Sequence, residues 1–275
     1  MKNFVIEGSS NRPISFDIDL PSNDLKNPLI IFLHGFKGFK DWGHWPLLAK
    51  ELTKQNFAVL RMSFSHNGTT PENPIDFVDL EAFGNNTFTK ESADVQDVIN
   101  WLFSDQNTES QKLDLSQVSI MGHSRGGAIA MITANEDTRV HKIISLSGVG
   151  NLARYSDEEL SYWKTKGVVY MMNARTNQNM PLYYTLAENY LANLNRFELS
   201  VIISKIAQPY LIIHAQNDET VDLSEAISLA ENGVNTQLEI IKDANHSFGG
   251  MHPYTDDFLP NHSVEIVNLV SKFLQ

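Results

Sequence analysis

Cysteine is absent from all 275 residues, which excludes thiol catalysis, disulfide staples and Cys-ligated zinc or iron–sulfur centres. Any covalent nucleophile must be another residue type. Positive charge is scarce: 21 Lys and Arg stand against 33 Asp and Glu, a formal net charge of -12, and no compact basic run offsets the deficit. That balance argues against nucleic acid or an anionic membrane as a partner. Long apolar runs are missing too. None exceeds five residues, as at Leu29 to Leu33, against the roughly 18 that a membrane-spanning helix needs. The stretch Met1 to Gly8 has neither the apolar core nor the cleavage site of a signal peptide, so a cytoplasmic setting is the expectation. Repeats and low-complexity tracts are likewise lacking. What remains, with 42% hydrophobic and 20% charged residues, is the composition of a globular chain able to bury a large core.

Ile14, Phe16, Ile18 and Leu20 alternate with polar neighbours, the period of a half-buried strand. Short, nearly continuous apolar runs follow at 29–33, 57–60, 118–121, 143–146 and 210–213. Runs of this kind suit strands covered on both faces. Between them, Val95, Val98, Ile99 and Leu102 recur at helical spacing, as do Ile266, Leu269, Val270 and Phe273. Residues 223–232 predict a further helix stopped by Gly233, and 237–241 a last strand. Strands alternating with helices imply a mainly parallel α/β sheet. Residues 149–205 break the alternation. They hold no clear buried strand but many aromatics, among them Tyr155, Trp163, Tyr170, Tyr183 and Tyr190. This segment is expected to be a mostly helical cap inserted into a core formed by 1–148 and 206–275, all within one domain.

The sharpest local signal is Gly122-His123-Ser124-Arg125-Gly126-Gly127, directly after the 118–121 strand and before the apolar run Ala128 to Ile132. This is the G-x-S-x-G nucleophile elbow in its strand–turn–helix setting. Its glycines allow a turn so tight that neighbouring side chains would collide, with the serine hydroxyl thrust out at the strand's carboxyl end. A serine hydroxyl needs a base within hydrogen-bond reach and a carboxylate to orient that base, in the chain order Ser, acid, His. Asp218 follows the strand ending near Ile213, and His246 follows the last strand. Ser124, Asp218 and His246 are therefore the candidate catalytic residues. Glu219, Asp222 and Asp243 are weaker candidates for the acid, and His252 for the base.

A tetrahedral oxyanion requires two backbone N–H donors. Arg125, following the serine at a helix start, is expected to supply one. Phe36, in the loop His34-Gly35-Phe36-Lys37-Gly38 after the 29–33 strand, is expected to supply the other. His66, His123, Tyr170 and Tyr183 are the candidates for substrate contact, and the side chains of Lys37 and Arg125 could set positive charge beside the oxyanion. Asp243, His246, His252 and Asp256 follow no metal-ligand spacing. Neither a metal nor a cofactor is expected.

The loop 34–38, the elbow 122–127, Asp218 and His246, in that order, make the chain similar to the α/β-hydrolases. The HGF-x-G loop and the inserted cap resemble the cinnamoyl/feruloyl-esterase and dienelactone-hydrolase-like branches. The dienelactone hydrolases proper use a cysteine nucleophile, which this chain lacks. The resemblance implies an α/β-hydrolase fold: an eight-stranded, mostly parallel sheet with its second strand antiparallel, flanked by helices. The cap then falls between strands 6 and 7, with a pocket between cap and strand ends.

The expected activity is that of a cofactor-independent serine hydrolase acting on a small to medium carboxylic ester, as a monomer or homodimer. Two other readings stand beside it. One keeps the triad but cuts amides, as a prolyl-oligopeptidase-like or aminopeptidase-like enzyme. The other is a ligand receptor that retains the triad without turnover.

Overall fold

The computed structural model describes residues 2–9 and 11–275. Strands β1 (Lys2–Glu7), β2 (Pro13–Asp19) and β3 (Asn27–Leu33) open the chain, followed by helix α1 (Trp45–Lys54) and β4 (Ala58–Ser63). Next come α2 (Leu80–Gly84), α3 (Phe88–Leu102), β5 (Leu113–His123), α4 (Arg125–Glu136) and β6 (Val140–Leu146). The inserted segment holds α5 (Asp157–Lys166), β7 (Val168–Asn173), β8 (Gln178–Tyr183), α6 (Thr185–Ala192), α7 (Leu194–Phe197) and α8 (Leu199–Ile203). Then β9 (Tyr210–Ala215), α9 (Leu223–Asn232), β10 (Thr236–Ile241) and α10 (Asn261–Leu274) complete the chain.

Eight strands form one sheet in the order β1-β2-β4-β3-β5-β6-β9-β10. Only β2 runs against its neighbours; every pairing from β4 to β10 is parallel. The apolar runs of the central strands are continuous because both faces of the sheet are covered. Successive side chains point to opposite faces: Leu29, Ile31 and Leu33 join one buried cluster, while Ile30 and Phe32 join the other. The first cluster takes the stripe Val95, Val98, Ile99 and Leu102 of α3. The second takes α1 and α10, where Ile266, Val267, Val270 and Leu274 are buried and Leu269 and Phe273 flank them.

The cap departs from expectation in one respect. Beside its helices it carries an antiparallel hairpin, β7 paired with β8 from Val168↔Tyr183 to Asn173↔Gln178. The hairpin is apart from the main sheet, so β7 is mostly exposed and shows neither a buried run nor a clean alternation. Pro181 interrupts β8, and a two-stranded ribbon tolerates it because one edge of each strand is unpaired.

The parallel strands all present their carboxyl ends at one rim. Loops 34–44, 63–69, 147–150, 216–222 and 242–252 leave from there, and the turn of the cap hairpin returns to it.

Candidate active site

Ser124 stands between the last residue of β5 and the first of α4, with φ 54° and ψ -121°. A non-glycine residue at positive φ is strained and persists only where its surroundings fix it. Here the Ser124 N–H donates to the carbonyl of Leu146 (2.9 Å), and its own carbonyl accepts from Gly127 (3.0 Å) and Val149 (3.2 Å). The flanking glycine is obligatory on steric grounds: a Cβ at Gly122 would lie 2.1 Å from the Gly126 carbonyl oxygen. The loop after β3 presses on the same spot, since a Cβ at Gly35 would lie 2.9 Å from the Cβ of Ser124.

Asp218, just past β9, has a fully buried side chain. It accepts the N–H groups of Thr220 (2.9 Å) and Val221 (2.8 Å) and meets Nδ1 of His246 at 2.8 and 2.9 Å. Burial opposes its charge, but hydrogen bonds from His246, Val221 and the Ser147 hydroxyl outweigh that and hold its pKa well below the usual carboxylate range. The buried His214 ring closes the far side, 3.6 Å from Asp218 and bonded through Nε2 to the Val221 carbonyl. The other acids considered for this place do not pair with the ring. Asp222 caps α9, Glu219 accepts the His246 backbone N–H at 3.4 Å, and Asp243 is exposed.

His246 and Ser124 line one cavity of about 500 Å³. Phe36, Lys37, Trp42, Phe77, His123, Asn173, Arg175 and His252 are among its other walls. His123 donates from Nε2 to the His246 carbonyl (3.0 Å), and its ring lies 4.8 Å from that of His246. Burial first, then the neighbouring His246, lowers the His123 pKa to about 3. His252 does not act on Asp218; its Nδ1 accepts from Gly43 (2.9 Å) and its ring stacks on Trp42.

The 34–44 loop is tied down at both ends. His34 donates from Nδ1 to the Gly35 carbonyl (2.8 Å) and accepts the Phe64 N–H at Nε2 (3.3 Å), and burial keeps it neutral with a pKa of about 4. At the other end Lys40 reaches Asp17 and Asp41, both at 2.5 Å, while Arg61 joins Asp41, Asp17, Asp19 and the Lys40 carbonyl. Asp17, Lys40 and Arg61 are buried, and Asp19 and Asp41 are half-buried at the edge of this network.

Several expectations about substrate contacts do not fit the geometry. His66 is buried behind the rim with Nδ1 on the Ser65 hydroxyl (2.8 Å). Tyr170 faces outward from β7, and the Tyr183 hydroxyl donates to Glu81 (2.6 Å); neither ring is among the residues lining the cavity. Arg125 begins α4 as expected, but its side chain turns from the cavity to Glu91 (3.4 Å) and to the Phe36 and Phe88 rings (4.3 and 5.4 Å). From the cap it is Met171, Asn173, Ala174 and Arg175 that line the cavity. The local pattern gave no sign of this, because which cap residues meet the rim is decided by the hairpin turn. Among the described residues no group of three or more His, Asp or Glu side chains is placed to hold a metal ion.

Nδ1 of His246 faces a buried carboxylate, which leaves Nε2 as the ring's other nitrogen, and the same cavity is lined by a serine on a strained turn. Residues 81–257 match the model of the prolyl oligopeptidase family. The chain belongs to that family. Solved structures extend the likeness to the whole α/β-hydrolase fold. Est1E from Butyrivibrio proteoclasticus, with ferulic acid bound, is 19% identical with a TM-score of 0.75, covering 98% of this chain and 97% of that one. The α/β hydrolase GrgF from Penicillium gives 13% and 0.75, with 99% and 97% covered. Dienelactone hydrolase from Anabaena variabilis gives 16% and 0.60, with 99% and 96% covered. A curated relative, an uncharacterized 31.7 kDa protein in the traX-finO intergenic region of Escherichia coli, is 29% identical over 133 residues. That alignment spans 48% of this chain and 41% of the relative. As a member of the prolyl oligopeptidase family with an α/β-hydrolase fold, the chain has the architecture that its sequence resemblance implied.

Proposed function

We propose that this chain is a serine hydrolase that cleaves a small to medium carboxylic ester. The observation that carries the reading is His246, paired with the buried Asp218, sharing a cavity with a serine on a strained elbow. Ser124 Oγ attacks the ester carbonyl carbon as His246 Nε2 takes its proton, and the carbonyl π pair moves onto oxygen. The oxyanion rests on the N–H groups of Phe36 and Arg125. Collapse expels the alkoxide, which leaves as an alcohol with the proton from His246. Water, deprotonated by the same ring, then attacks the acyl-enzyme, releases the acid and restores Ser124. Asp218 stays ionised throughout and holds the imidazole tautomer.

Replacing Ser124 by alanine is expected to lower kcat on short 4-nitrophenyl esters by a factor on the order of 10⁴ to 10⁶. A Ser124→Ala protein that works at the wild-type rate overturns the reading.

The family match favours a second reading, in which the same triad cleaves an amide. An enzyme that holds a substrate's free amine needs negative charge in the pocket, and Glu219 is the one acid among the lining residues described. Rates on aminoacyl 4-nitroanilides set against esters of the same acyl group decide between the two. Turnover of the anilides at rates matching the esters establishes the peptidase reading.

A further inference from the structure

The cavity beside Ser124 carries two cations in a chain whose formal net charge is -12. Lys37 forms no ion pair with any described residue; its ammonium stands 5.8 Å from the Phe36 ring centroid. Arg175 sits in the turn between β7 and β8. Its Nη2 donates to the Ile75 carbonyl (3.2 Å), and its guanidinium lies 6.0 and 5.9 Å from the Phe39 and Phe77 ring centroids. The nearest acid, Asp76, is 3.7 Å away and 59% exposed. Water competes for such a carboxylate, so the pair neutralises little of the arginine's charge. That charge reaches the cavity interior: after burial, Arg175 is the next cause lowering the His252 pKa, with Asp76 in opposition.

Two residues earlier, Asn173 is 8% exposed and lines the same cavity. Its Oδ1 accepts the Arg175 N–H (3.3 Å), which leaves Nδ2 as the free end, and that nitrogen has no hydrogen-bond partner. A buried donor left unpaired is destabilising, and a ligand oxygen beside the guanidinium would remove that cost. On the other side of the ledger stands Glu219, exposed and held by the His246 N–H at 3.4 Å.

We propose that the Asn173–Arg175 turn, aided by Lys37, is an anion subsite, so that the preferred substrate is an ester carrying an ionised carboxylate away from the scissile bond. The proposal rests on the hydrolase reading of Ser124 and adds the substrate class. The guanidinium and the Asn173 amide, both on residues that line the cavity, are donors that a carboxylate meets with charge-assisted hydrogen bonds a neutral ester cannot form.

Mono-4-nitrophenyl adipate and methyl 4-nitrophenyl adipate share a leaving group and chain and differ in one charge. The wild type should favour the anion in kcat/KM by about tenfold or more, since one hydrogen bond to a charged group is worth that factor. The ratio should fall toward 1 in Arg175→Gln, survive in part in Arg175→Lys, and shrink as salt is added. A ratio near 1 in the wild type, or one that Arg175→Gln leaves in place, overturns the subsite. Calorimetric titration of the Ser124→Ala protein with monomethyl adipate and dimethyl adipate reads the subsite without turnover. Tighter binding of the anion by about tenfold, lost in Ser124→Ala/Arg175→Gln, supports it, and equal binding overturns it. Absence of hydrolysis of either nitrophenyl ester by the wild type counts against the hydrolase reading, and the titration still decides the subsite.

Discussion

Asp94 is a carboxyl group that the fold favours in its neutral form. It is buried in α3, where one oxygen accepts the Ser65 N–H (2.7 Å) and the other the Ser65 hydroxyl (2.9 Å). Burial raises its pKa, the Ser65 bonds work against that, and the charges of Glu91 and Asp97 add to it; the outcome is a rise from 3.8 to about 7. Between those two values the unfolded chain has released the proton and the folded chain still holds it. The stability Asp94 contributes is therefore whole below about pH 4, declines as the pH rises, and is gone above about pH 7. Asp94→Asn keeps the shape, accepts the Ser65 N–H and donates to its hydroxyl. Thermal unfolding of both proteins from pH 4 to pH 8 should show the variant gaining on the wild type by on the order of a few kcal/mol over that span. Parallel curves would show that Asp94 does not titrate in this window. At this scale the sequence was most readable where chemistry is local. Ser124, Asp218 and His246 each lie in the loop or turn that follows a strand, so a strand-by-strand reading picks them out as candidates. Ser147, which directly follows β6, and His214, inside β9, support Asp218 but could not be singled out, because a buried serine or histidine near a strand end looks the same whatever it touches.

Among the elements, the loop from His34 to His44 shows how a flexible connection is made rigid. Lys40 and Arg61 face Asp17, Asp19 and Asp41 in a network most of which is removed from water. Removing one member of such a network strands the opposite charges in a poor solvent. Lys40→Met should cost about 3–5 kcal/mol in urea unfolding. The surface pair Arg196–Glu136, at 2.6 Å but about one-third exposed on both sides, should lose less than about 1 kcal/mol when Arg196 is replaced by Gln. Equal costs would mean that the network is as wet as the surface pair. Since Lys40 holds the loop that carries Phe36, the surviving Lys40→Met protein should also lose kcat more than KM on a neutral ester. The network was invisible in the sequence, where its five residues are scattered over 17–61 and read as ordinary surface charge. The cap elements were half legible. Helix α5 carries a full capping box, Ser156 with Glu159, and ends at Gly167 with φ 72°, signals that any chain segment shows in its own residues. In the hairpin after it β7 is half exposed and β8 buries Met180, Pro181 and Leu182 in a row, so neither strand shows the alternation of a strand with one covered face.

For the molecule as a whole, the question is whether residues 149–205 open independently of the sheet. Trp163, Met180, Leu182, Leu186, Phe197 and Ile202 from this segment belong to the same buried cluster as Phe83, Phe88, Val95 and Ile132 of the core. Phe197 meets Phe88 edge to face at 5.7 Å, and Asn189 exchanges hydrogen bonds with Thr89 at 2.8 to 3.2 Å. With no separate core of its own, the segment gains its stability from the sheet and returns cover to it, so the two should unfold together. Phe197→Ala removes a fully buried ring at this junction and should cost about 3–5 kcal/mol. Native-state hydrogen exchange read by peptide can locate that loss. If the chain is one cooperative unit, the slowest amides of β8 and α6 in the cap and of β3 and β5 in the sheet lose protection by equal free energies in Phe197→Ala. If the cap is a hinged lid, its amides lose protection while those of β3 and β5 keep theirs, and access to the cavity then proceeds by cap opening.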